Sequence, residues 1–439
     1  PPTDAVRIEE MLNYFSYEYD PPNLDADVPF SVVTEVGPAP WAPEHKLVHV
    51  GLQAAALPAD RVPPRNLVFL LDVSGSMNNS DKLPLLKRGL KMMVPQLRAE
   101  DRVAIVVYAG AAGVVLEPTA GNEHSTIVGA LDRLSAGGST HGSAGIALAY
   151  DLARSNFRDE GINRVLLATD GDFNVGTTSH ADLIDLIERE RDSGVFLTVL
   201  GFGTGNLKDS TMESIADHGN GNYAYIDSPA EAHKVLVAEA GSTLVTVAKD
   251  VKIQVEFNPA TVEGYRLIGY ANRKLAHRDF TDDTKDAGEV GAGHSVTALY
   301  EVVPVGGSLP DDVQLRYQRD KEPTAASSGS DELMFVKVRY KKPDGRVSTE
   351  ASWSVQDRDV RLPGTSDDFR FSAAIAGWGM LLRGSPYVAG WTLNDPADLA
   401  GSALRHDPNG YRSQAMQLMD KAASLATVNG QLVTGRERR

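Results

Sequence analysis

Asp72, Ser74 and Ser76 set three oxygen-bearing side chains two residues apart around Gly75, where the apolar run from Asn66 to Leu71 ends. Carboxylate and hydroxyl oxygens are hard donors, suited to Mg²⁺, Mn²⁺ or Ca²⁺ rather than zinc or copper. Asp-x-Ser-x-Ser by itself is equally the chemistry of turns and helix caps. Two further stretches change that balance. Gly137-Gly138-Ser139-Thr140 offers a hydroxyl behind two glycines that let the backbone come close to an ion. The apolar run Arg164 to Thr169 ends in Asp170-Gly171-Asp172. Asp72, Ser74, Ser76, Thr140 and Asp170 therefore form a candidate cation site. His141, Asp172, Phe173 and Asn174 are candidates for its rim.

Enzymatic readings of the same residues are incomplete. Asp72 with Thr140-His141-Gly142 resembles parts of a subtilisin-like triad, but no later nucleophile opens a helix in the required way. Asp-x-Ser replaces the Asp-x-Asp expected of an aspartyl-phosphate phosphatase, and no Gly-x-x-x-x-Gly-Lys-Ser/Thr loop exists to cradle a nucleotide. His141 reads as structural or solvated. The acidic loop Asp282, Asp283, Asp286 and Glu289 reads as solvated rather than calcium-binding. No catalytic residue is predicted, and a hydrolase is the least supported alternative.

The elements that position these residues follow a strand–helix alternation between residues 66 and 248. Strands are predicted at 66–72, 102–109, 114–117, 164–169, 195–201 and 222–226, with amphipathic helices near 81–97, 124–135, 143–155, 180–193, 208–218 and 229–246. Apolar strands separated by helices imply a mostly parallel sheet covered on both faces, with 114–117 antiparallel at an edge. Ligands of such sheets sit at the carboxyl ends of strands, where the first and third motifs fall, while the second lies in the loop between the helices at 124–135 and 143–155. Outside this region the pattern is one of alternating strands at 30–36, 46–53, 251–257, 265–270, 294–303, 333–340 and 347–355, with a Pro-rich turn at 37–43. They are predicted to form one β-sandwich that the α/β unit interrupts. A short helix within 3–17 and helices at 367–382 and 411–425 complete the chain.

Asp-x-Ser-Gly-Ser-Met at 72–77, Gly-Gly-Ser-Thr at 137–140 and Thr-Asp-Gly at 169–171, on a six-strand α/β pattern, resemble a von Willebrand factor type A domain. The resemblance implies a metal-ion-dependent adhesion site, with Ser74, Ser76 and Thr140 offering hydroxyls and Asp72 and Asp170 holding them or the ion's waters. It also implies a protein partner whose Glu or Asp completes the coordination. Three neutral hydroxyls leave much of a divalent charge uncompensated, so capture of a carboxylate is physically sensible. Nearly the whole chain is similar to bacterial YfbK-like proteins, through Arg7 to Phe15, Asp368-Phe369-Arg370-Phe371 and Leu381 to Tyr387.

The expected organisation is an N-terminal helix and first sandwich strands at 1–61 and a Rossmann-like type A domain at 62–248. The rest of the sandwich follows at 249–360 and a helical region at 361–439. The expected function is metal-dependent, non-enzymatic protein binding or adhesion, with Mg²⁺ ahead of Mn²⁺ and Ca²⁺. The alternative is an intracellular adaptor serving a separate ATPase in a chaperone or metal-insertion complex. A net charge of −16 disfavours nucleic acid and anionic membranes as partners. The absence of cysteine from all 439 residues excludes disulfides and thiolate sites within them. No run approaches a membrane span. The chain opens at Pro1-Pro2-Thr3 without Met, so an upstream leader or lipid anchor is left open. The resemblance favours the cell envelope over the cytoplasm.

Overall fold

The architecture comes from a computed structural model, which describes residues 6–23, 26–58, 60–138, 142–171, 180–203, 209–239, 245–270, 280, 288–307, 332–343, 345 and 347–428. The chain begins with helix α1 (Ile8–Asn13), shorter than the 3–17 window, because Tyr17 and Tyr19 run extended and bury their rings. A hairpin follows, β1 (Phe30–Ala39) and β2 (Ala42–Ala54). Pairing continues through Gly37 and Pro38, where a turn was expected; β1 is an edge strand, so Pro38 removes no donor that the sheet interior needs.

The α/β unit then runs β3 (Arg65–Asp72), α2 (Leu83–Met93), β4 (Arg102–Tyr108), β5 (Ala112–Ala120), α3 (His124–Asp132), α4 (Gly142–Ser155), β6 (Ile162–Thr169), α5 (His180–Asp192), β7 (Val195–Phe202), α6 (Asp209–His218), β8 (Tyr223–Ile226) and α7 (Pro229–His233). Strand order is β5-β4-β3-β6-β7-β8, parallel except for β5, which pairs antiparallel with β4. Every residue of β3 is buried. Leu67, Phe69 and Leu71 face α2, α3 and α7, while Val68 and Leu70 meet Ile146, Ala149 and Tyr150 of α4. This two-sided burial explains the unbroken apolar run. Winding reverses direction between β3 and β6, and the crevice at their carboxyl ends is where open sheets of this order hold ligands. The helix expected across 229–246 is instead α7 plus one π-helical stretch, Lys234–Ala238, with the helical run ending before Glu239.

Beyond it come β9 (Thr246–Phe257), β10 (Val262–Ile268), β11 (Gly288–Gly291), β12 (Ser295–Pro304), β13 (Glu332–Lys341) and β14 (Ser348–Gln356). They complete two four-stranded sheets, β1-β2-β12-β10 and β11-β9-β13-β14. Val36, Val48, Val50 and Val302 of the first share a core with Ala248, Phe257, Val336 and Val338 of the second. This is a β-sandwich with the α/β unit inserted between β2 and β9, as expected. Last come α8 (Asp367–Leu382), α9 (Asn394–Gly401) and α10 (Tyr411–Val428). Ser366 caps α8 by accepting from the Phe369 N–H at 3.0 Å, and Asp367 and Asp368 lie in its first turn. Phe369 and Phe371 bury their rings with Ile8, Leu12 and Phe15 of the N-terminal segment.

Polar groups staple these parts. The Arg412 guanidinium, 1% exposed, donates to Asp368 Oδ1 at 2.5 Å and to the Ser16 carbonyl at 2.9 Å. His49 bridges Tyr19 and Ser372, and Tyr19 reaches Thr297 Oγ1 at 2.8 Å. Lys234, on the π-helical stretch, sits 3.4 Å from the centroid of the Tyr14 ring and donates to the Tyr14 carbonyl at 2.9 Å. No described helix is long and apolar enough to cross a membrane.

Candidate functional site

The loop after β3 is held by its neighbours on both sides. The Val73 N–H donates to the Tyr108 carbonyl at 3.1 Å, at the end of β4. Gly75 N–H donates to the Gly138 carbonyl at 3.1 Å, and Gly137 N–H returns to the Val73 carbonyl at 2.8 Å. These bonds bring the Gly137-Gly138 stretch against the Asp72–Ser76 loop, so two segments 60 residues apart share one edge. Gly138 has φ +86°, and a Cβ there would stand 3.2 Å from the Gly110 nitrogen. Only glycine fits both demands without strain.

Asp72 has no exposed surface. Its Oδ1 accepts from the Ser74 N–H at 2.8 Å, an Asx-type turn that fixes the backbone at Ser74, and Oδ2 accepts from the Thr169 hydroxyl at 3.4 Å. Ser74 Oγ and Ser76 Oγ lie 3.0 Å apart. Asp170 follows β6 on the adjoining strand end, and its Oδ2 accepts from Lys82 Nζ at 2.8 Å. Burial pushes the Asp72 carboxyl above the usual carboxylate range and the Asp170 charge adds to this, against the lowering effect of the Ser74 bonds. Burial and the Asp72 charge drive the Tyr108 phenol far upward, so it stays neutral.

Four of the five predicted ligand residues can therefore be placed: Asp72, Ser74, Ser76 and Asp170 share one end of the sheet. Thr140, His141, Asp172, Phe173 and Asn174 lie outside the described residues. No cluster of three His, Asp or Glu side chains occurs among the described residues, so a cation centre here depends on hydroxyls. The donor set suits a hard divalent ion, and the Lys82 ammonium already stands as a cation against Asp170. Sequence reasoning missed Lys82, which it took as part of an amphipathic helix, and Thr169, a strand-end hydroxyl with no motif signal of its own.

The family model described as von Willebrand factor type A domain matches residues 66–238, and one described as von Willebrand factor matches 1–49. A third, described as Uncharacterized protein YfbK, C-terminal, matches 242–425. The Escherichia coli (strain K12) protein YfbK is 41% identical over 434 residues, spanning 98% of this chain and 75% of the relative. The chain belongs to the YfbK family.

More distant similarity is found both to part of the chain and to most of it. The human inter-alpha-trypsin inhibitor heavy chain H3 is 30% identical over 39% of this chain and 20% of its own length. The solved von Willebrand factor type A protein from Catenulispora acidiphila is 16% identical, covers 91% of both chains and superimposes with a TM-score of 0.48. A type A domain in a YfbK-family chain suggests protein–protein interaction or adhesion, and none of these matches indicates an enzymatic activity.

Proposed function

We propose that this YfbK-family chain is a metal-dependent protein-binding protein whose type A domain captures an acidic side chain of its partner. The observation that carries this reading is the convergence of the Ser74 and Ser76 hydroxyls, 3.0 Å apart, with buried Asp72 and Asp170 at the β3–β6 crevice. Ser74 and Ser76, with Thr140 from the adjoining loop, would hold the ion. Asp72 keeps the Ser74 backbone in place, and Asp170 supplies negative charge from the next strand end. Mg²⁺, the ion that fits this donor set best, supplies an electrophilic position for a carboxylate oxygen. Few protein charges offset the ion directly, which favours a partner's Glu or Asp as the remaining ligand.

Calorimetric titration with Mg²⁺ tests the site, comparing the wild-type chain with Ser76→Ala. Loss of binding in the variant is expected, with the circular dichroism spectrum unchanged, because Ser76 is exposed and its backbone is held by its own turn. Partners are then recovered with Mg²⁺ and with EDTA. Equal recovery under both conditions refutes the metal-dependent reading.

A further inference from the structure

Lys82 occupies a position that its chemistry does not favour by itself. It precedes α2, where the helix dipole repels cations, and its side chain is only 17% exposed. Its backbone is fixed there, the N–H donating to the Asn79 carbonyl at 3.0 Å and the carbonyl accepting from the Leu86 N–H at 2.8 Å. Its stem lies across Gly203, just beyond β7, where a Cβ would meet Lys82 Cε at 2.5 Å. Gly203 adopts φ +89°, so the chain gives up a side chain there and keeps a track for the lysine. The ammonium emerges at Asp170 Oδ2, 2.8 Å away, on a carboxylate whose side chain is 4% exposed.

We propose that Lys82 is a resident cation of the Asp72–Asp170 site, holding it in shape without a divalent ion and weakening the binding of that ion. This rests on the metal-site reading above. Two carboxylates whose charges already repel are kept out of water at one strand edge, and a fixed ammonium offsets one of them. Asp170 held by Lys82 gives less of its charge to an incoming ion, and the ammonium repels that ion. The ion consequently binds less tightly and stays more electrophilic towards a partner's carboxylate. Lys82 acts as a positioning residue through Asp170, without itself touching a partner.

Thermal unfolding and Mg²⁺ calorimetry of the full chain test this with Lys82→Met and Lys82→Arg. In EDTA, Lys82→Met should lower the type A domain transition by roughly 5–15 °C, the range expected when one member of a buried ion pair is removed. Saturating Mg²⁺ should restore most of that loss, and Mg²⁺ affinity should rise about tenfold as the repelling charge disappears. Lys82→Arg, which keeps the charge, should stay close to wild type in both measurements. A Lys82→Met loss of equal size with and without Mg²⁺ would mean that the stem only packs on Gly203, and overturns the inference. Unchanged Mg²⁺ affinity overturns it as well. A wild-type chain that binds no Mg²⁺ refutes the metal-site reading itself, and the role of Lys82 falls with it.

Discussion

Replacing Asp72 by Asn removes the charge at the centre of the site and keeps nearly all of its shape. The carboxylate is wholly buried, with Oδ1 on the Ser74 N–H at 2.8 Å and Oδ2 on the Thr169 hydroxyl. Burial, then the Asp170 charge, raises its affinity for a proton above the unfolded value of 3.8. The folded state therefore holds that proton to higher pH than the unfolded chain. Stability falls as pH climbs from about 3.8 through the raised folded value, and the ionised group is a net cost at neutral pH in metal-free protein. Asparagine abolishes that cost while its amide oxygen still accepts from Ser74. Alanine leaves the buried Ser74 N–H without this acceptor, a loss of about 1–3 kcal/mol. For a domain of this size that is roughly 2–12 °C in Tm. Calorimetry in EDTA at pH 7 should rank Asp72→Asn at or above wild type and Asp72→Ala below both. Both variants should lose the Mg²⁺-induced rise in Tm. An Asp72→Asn protein as unstable as Asp72→Ala would refute the electrostatic argument, and an intact Mg²⁺ response in both would refute the assignment of Asp72.

Gly138→Ala forces a Cβ towards Gly110 at φ +86°, at a cost of about 1–2 kcal/mol; by disturbing the bonds to Gly75 and Val73 it should also weaken Mg²⁺ binding severalfold, and an unchanged titration would separate that loop from the site. His49 is held neutral by burial, which lowers its value from 6.5 to about 4. The unfolded chain therefore takes up this proton first on acidification, so the contribution is intact above pH 6.5 and is lost towards pH 4. His49 should cost roughly 2–3 kcal/mol of stability between pH 7 and 4.5. Urea midpoints at the two pH values should show a smaller drop for His49→Gln, and an identical drop would remove His49 as the acid-sensitive group.

The α/β unit was legible because both signals it needs are local. β3 is buried on both faces and so reads as an apolar run, while its end shows as a sudden change to Asp and Ser. The insertion of this unit in a sandwich was legible from the alternating strands on either side. What escaped was decided by distant partners. The turn expected across 37–43 narrows to Pro40 and Trp41, because β1 lies at a sheet edge and keeps pairing through Gly37 and Pro38, which residues 37–43 cannot reveal. β11 has only four residues, two of them glycine, and α9 is eight residues long, carries Pro396 and offers only Ala397, Leu399 and Ala400 as other apolar positions, too few for a clear helical stripe. Helix-like periodicity at 229–246 continues past the point where Lys234 turns to Tyr14 and the backbone widens into a π-helical stretch. Lys82 carries no signal in sequence, because its role depends on Gly203 and Asp170, which follow it by more than 80 residues.

The placement of the α/β unit within the sandwich has a consequence for how the chain is born. β2 pairs with β12 through Gln53 and Ser295, so about 240 residues are synthesised before that pairing is available. At roughly 5–20 residues per second this is a delay of about 10–50 s. Throughout it, β1 and β2 form a bare two-stranded hairpin, a unit with little stability of its own. The α/β unit has its helices and parallel strands within one continuous stretch and can be complete in that interval. Folding on the ribosome should therefore complete the α/β unit before the sandwich around it, with the β1–β2 hairpin, made earlier, among the later parts to find its place. The exposed β2 edge during that wait is where crowding and chaperone capture should act.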